Sequence, residues 1–116
     1  MANFDRIGIA ERLRSLIAGQ DNGDLGATAA RLALEELSLR MSIDEDSPHP
    51  TVEVLAAVIR VYGVDPTWLL TGVYDASTHR TCMDEPSGIA AMLRDFIHKR
   101  SPVIAEHTAE HFYRRN

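Results

Sequence analysis

Chemistry-bearing side chains cluster late in the sequence. His107 and His111 stand four apart with Glu106 and Glu110 beside them, a spacing that on a helix sets two imidazoles on one face, where they could share a metal ion. His98, or His79 with Cys82, are the further donors such a site would draw on. The order Glu-His-x-x-Glu-His is not the metalloprotease motif, however, and no third ligand has diagnostic spacing, so neither a metal nor any other cofactor is expected. The two histidines fit better at the edge of an interface, where an imidazole changes charge near neutrality. There is no phosphate-binding glycine loop, nucleophile elbow or other catalytic signature, and Gly19 and Gly23 read as turn residues. The chain is not expected to be an enzyme, and a metal-dependent one is the weakest of the readings considered.

Charge and composition narrow the alternatives. The chain has 116 residues, 45% hydrophobic and 25% charged, with a formal net charge of −5, the make-up of an ordinary globular protein with room for one small domain and an appendage. The charge is unevenly placed: residues 1–72 carry 11 acidic and 6 basic side chains, whereas 73–116 carry 6 of each. The opening stretch is studded with Asp5, Arg6, Glu11, Arg12 and Arg14, unlike a secretory signal. The longest apolar run, Val54 to Ile59, is far shorter than the roughly 18–20 residues that span a bilayer. A cytoplasmic protein without membrane contact is expected, and the single Cys82, a spectator thiol, agrees with a reducing compartment.

The elements that must position any site read as helices throughout. Asn3 can cap a first helix with an apolar stripe of Ile9, Leu13, Leu16 and Ile17. Asp24 can cap a second, Leu25 to about Leu34, whose alanines allow close backbone approach. A third, roughly Glu35 to Ile43, carries Leu37, Leu39, Met41 and Ile43 on more than one face, so its phase is ambiguous. After the polar, proline-bounded loop 44–50, Thr51 caps a fourth helix ended by Gly63. Asp65-Pro66 opens a short fifth, closed by Gly72. Residues 73–86 have no apolar period and read as a linker. Ser87 can cap a sixth helix with Ile89, Met92, Leu93, Phe96 and Ile97 at amphipathic spacing, and Ser101-Pro102 begins a seventh with Ile104, His107, Thr108, His111 and Phe112.

Several local phrases carry a resemblance. Ile9-Ala10-Glu11-Arg12-Leu13-Arg14-Ser15-Leu16, with Ala29 and Leu32 further on, and above all Pro50-Thr51-Val52-Glu53-Val54-Leu55 followed by Tyr62-Gly63-Val64-Asp65-Pro66-Thr67-Trp68-Leu69-Leu70-Thr71-Gly72, are similar to the lambda-repressor-like, Xre/Cro-type helix-turn-helix family. The likeness covers about Ile9 to Gly72. It implies an all-α, five-helix helix-turn-helix domain over 1–72, to which the apolar stripes beyond the linker add two C-terminal helices in 87–116. It further implies a DNA-binding transcriptional regulator in which the second helix braces on phosphates and the third offers side chains to the major groove. On that basis Thr28, Arg31, Glu36, Ser38 and Arg40 are the candidate DNA contacts, with His49 and Thr51 near the backbone.

The sequence departs from the family where bases would be read. The family's second helix usually starts with Gln and its third is rich in Ser, Arg, Thr and Gln, whereas Leu25, Glu35, Glu36 and Leu37 stand here. Across 35–46 the acids Glu35, Glu36, Asp44, Glu45 and Asp46 face one base, Arg40, and such a segment repels phosphate. The rival expectation is therefore a helix-turn-helix-derived interaction module that has lost DNA and binds a basic protein partner through this acidic face. Because two lone helices bury their stripes poorly, homodimerisation is expected through Ile89, Leu93, Phe96, Ile97, Ile104 and Phe112.

Overall fold

A computed structural model describes residues 5–100. Among them the chain is all helix and turn, without strands: α1 (Arg6–Asp21), α2 (Leu25–Leu32), α3 (Glu36–Ser42), α4 (Val52–Tyr62), α5 (Pro66–Thr71), α6 (Ala76–Asp84) and, after a 3-10 turn at Pro86–Gly88, α7 (Ile89–Arg100).

Helix starts are fixed by short polar side chains that accept from otherwise unpaired backbone N–H groups. Asp5 does this for Gly8 (3.0 Å), Asp24 for Ala27 (3.0 Å) and Thr51 for Val54 (3.2 Å). Asn3, the expected cap of the first helix, lies outside the described residues. Asp65 accepts from Thr67 and Trp68 at the start of α5 and also from the backbone N–H of Asp75 at 2.6 Å. Asp75 in turn caps α6 through Ser77 and Thr78. Gly63 ends α4 at φ 66°, a left-handed geometry that glycine adopts without steric cost.

The core is built around α4. Val54, Leu55, Ala56, Ala57, Val58 and Ile59 are all buried, so this helix has no solvent stripe along that run and needs neighbours on more than one side. Helices α2 and α3 cover one part and α7 another. Ile9, Leu13 and Ile17 of α1 complete the cluster with Leu32, Leu39, Leu69 and Leu70. Two arginines lock α1 to the rest: Arg12 Nε donates to the Leu69 carbonyl (2.7 Å) and Arg14 Nη1 to the Ile43 carbonyl (2.5 Å) at the end of α3.

Two expectations are corrected. The segment 73–86 is not a bare linker, since it contains α6, whose Cys82 is buried in the same core. One buried side chain in nine residues leaves no apolar stripe to read, and the helix is set instead by the Asp75 cap and by His79 Nε2 against the Gly63 carbonyl at 2.8 Å. Ile89 and Leu93, expected at a dimer interface, are core residues of the single chain, 1% and 0% exposed. The second surface their stripe requires is α4. Phe96 and Ile97 are half-buried, Phe96 packed against the core; Ile104 and Phe112, with the expected seventh helix, lie outside the described residues. Residues 5–72 and 76–93 thus share one apolar core.

Candidate functional site

Helices α2 and α3 meet through a three-residue turn, Ala33 to Glu35, in which Ala33 is held at φ 57°. A residue with a Cβ is disfavoured there, and the conformation is maintained by the Leu34 N–H bonded to the Ala29 carbonyl at 2.9 Å. This turn sets α3 so that Leu39 and Ser42 face inward, both fully buried.

Beneath α2 lies a polar network centred on Asp21, the last residue of α1. Its carboxylate accepts from Thr28 Oγ1 (2.7 Å) and Tyr62 Oη (2.5 Å) on one oxygen and from Arg31 Nε (3.0 Å) and Nη2 (2.6 Å) on the other. The Asp21 side chain is 1% exposed. Hydrogen bonds from Tyr62, then Thr28, then Arg31 stabilise the ionised form against burial and hold its pKa down to about 2. Burial, followed by the bond to Asp21, pushes the Tyr62 hydroxyl up, and the bond to Asp21 pushes Arg31 up. The network ties the ends of α1 and α4 to α2.

The seven residues expected to touch DNA therefore divide. Thr28 is fully buried and its hydroxyl is spent on Asp21 and on the Asp24 carbonyl (3.1 Å), so it does not reach a groove. Arg31 is half exposed, but its Nε and Nη2 both donate to one oxygen of a buried carboxylate, which withdrawal of the guanidinium would leave without its charged partner. Arg40 makes a fork onto Glu36 (2.9 and 2.5 Å) on the surface of α3, an exposed i, i+4 pair worth only about 0.3–0.5 kcal/mol and easily opened. Ser38 is half-buried and its carbonyl accepts from Ser42 Oγ. His49 is exposed beside Ser47, its N–H bonded to the Met41 carbonyl at 2.8 Å. Thr51 is spent as the α4 cap.

The outward side of α3 instead presents Leu37, 65% exposed, and Met41, 47% exposed, four apart and hence on one face. The sequence alone leaves this face ambiguous because α3 is apolar at every second position. With Leu39 buried and Ile43 half-buried, the remaining two must face out. The acids gather at the end of the helix. Asp44 accepts from the Asp46 and Ser47 N–H groups (3.1 and 2.7 Å), folding the loop into a tight turn, while Glu35, Glu45 and Asp46 form no ion pair among the described residues.

No group of His, Cys, Asp and Glu among the described residues could hold a metal. His79 is engaged by Gly63 and by the Tyr74 hydroxyl (2.8 Å). Cys82 is buried beside Met92 Sδ at 3.7 Å, and burial pushes its thiol pKa up, away from nucleophilic chemistry. Glu106, His107, Glu110 and His111 lie outside the described residues. No described helix is long and apolar enough to cross a membrane. Comparison with known proteins yields no match to a family, a curated protein or a solved structure.

Proposed function

We propose that the chain is a helix-turn-helix-type regulatory module, of the lambda-repressor-like kind its sequence resembles, whose α3 face engages a protein rather than DNA bases. The supporting observation is the makeup of that face: Leu37 and Met41 are its prominent exposed side chains, the Arg40 charge is matched by Glu36, and acids without an ion pair, Glu45 and Asp46, follow the helix. A phosphate-binding surface needs free Lys and Arg to displace counterions, and a solvent-facing Leu–Met pair is instead the chemistry of an adaptable protein contact.

A second reading, a dimeric DNA-binding transcriptional regulator, is favoured by one feature, the tight α2–α3 turn at Ala33 with Arg40 on an easily opened surface pair. In that case the dimer contact would draw on Phe96 and Ile97 and on Ile104 and Phe112, because Ile89 and Leu93 are occupied within the chain. A fluorescence titration with duplex DNA from upstream of the chain's own gene, at low and moderate salt, separates the two. The protein reading expects no sequence-specific complex. A specific complex whose log affinity falls steeply with log salt overturns it.

A further inference from the structure

We propose that the α3 face docks a basic amphipathic segment of a protein partner, apolar side chains seating on Leu37 and Met41 and Lys or Arg side chains meeting the acids at the end of α3. The inference rests on the preceding reading and adds the partner's chemistry. Leu37 and Met41 form a short apolar strip along the helix. At its C-terminal end the chain places Asp44, Glu45 and Asp46 next to Met41, and the bond from the His49 N–H to the Met41 carbonyl keeps this loop folded against the last turn.

Anionic side chains are disfavoured at a helix C-terminus, where the dipole is already negative, so these acids work against the helix that they follow. Two cations lie at this end, and neither pairs with these acids: Arg40, in the last turn of α3, is engaged by Glu36, and Arg14 reaches across from α1 to cap the Ile43 carbonyl. Glu45 and Asp46, both exposed, are thus left as unmatched negative charge bordering an exposed apolar strip. Complementarity on both counts points to a segment carrying apolar residues on one side and cations on the other, read as helix anchors at i and i+4.

The test uses the full chain and a labelled helical peptide of about 18 residues with leucine on one face and lysine on the other. Controls are the same peptide with glutamate or serine in place of lysine. Anisotropy is read at about 50 and 150 mM salt. The leucine–lysine peptide is expected to bind, Leu37→Ala with Met41→Ala to weaken it at least about tenfold, and Glu45→Gln with Asp46→Asn to weaken it several-fold and flatten its salt dependence. All four positions are exposed, and unchanged thermal unfolding verifies that the variants fold. Absence of binding, or equal affinity in all variants, overturns the proposal. Binding of the serine peptide as tightly as the lysine peptide, still lost on Leu37→Ala, overturns the basic partner but leaves the protein-binding reading standing. Displacement of the peptide by the upstream duplex and not by an unrelated duplex overturns both.

Discussion

Replacing Leu93 with alanine tests whether α7 belongs to the body of the protein. Leu93 is 0% exposed and packs in the cluster that includes α4. The substitution removes three carbons, worth about 2.4 kcal/mol at roughly 0.8 per buried methylene, and the incompletely collapsed cavity raises the cost to about 3–4 kcal/mol. In a domain of this size each kcal/mol lowers Tm by roughly 4–8 °C, so a fall of at least about 12 °C is expected. Thermal unfolding followed by Trp68 fluorescence and by helical circular dichroism, at two protein concentrations tenfold apart, measures it. The Leu93→Ala midpoint should fall equally at both concentrations, whereas Ile97→Ala, at a half-buried position, should cost no more than about 1 kcal/mol. A Leu93→Ala midpoint equal to wild type, or a loss appearing only as altered concentration dependence, would refute the placement of α7 in the core and return Leu93 to a subunit interface.

Two further outcomes follow from the turn and the polar network. The folded Asp21 carboxyl has its pKa depressed to about 2, so its contribution to stability is complete above the ordinary unfolded value near 3.9 and disappears as pH falls through about 2. Asp21→Asn should therefore destabilise at pH 7, and the gap to wild type should narrow steadily between about pH 5 and pH 2; a gap independent of pH would mean that the ionised carboxylate is not what holds Thr28, Arg31 and Tyr62. Ala33→Gly should stabilise by roughly 0.5–1 kcal/mol, the left-handed penalty of about 1–2 kcal/mol being partly offset by the added freedom of glycine in the unfolded chain. A loss of stability on that change would show that the Ala33 methyl contributes packing that outweighs its backbone cost.

What was legible in the sequence was local. Caps and stops are set by a side chain and its own neighbouring backbone, which is why Thr51, Gly63, Asp65-Pro66 and Gly72 mark the bounds of α4 and α5 correctly. Features that depend on what lies across the core were not. Thr28 reads as a surface residue until Asp21 and Tyr62 converge on it from α1 and α4. The stripe of Ile89 and Leu93 reads as a subunit contact until α4 is seen to need cover on a second side, which six successive apolar residues from Val54 to Ile59 require. Helix α6 is not legible because its nine residues hold only three apolar side chains, Ala76, Cys82 and Met83, of which Cys82 alone is buried. The acids after α3, by contrast, were visible as charge alone, and the structure adds the exposed Leu37 and Met41 beside them.

The central claim is that α3 meets protein, and a photo-crosslinking amino acid placed at the exposed Leu37 position, in cells of the organism that makes this chain, tests it most directly. The account predicts a polypeptide adduct formed at position 37 and absent when the crosslinker stands at the exposed Ser87, outside α3. Adducts to DNA at position 37, enriched for one genomic sequence, would contradict it.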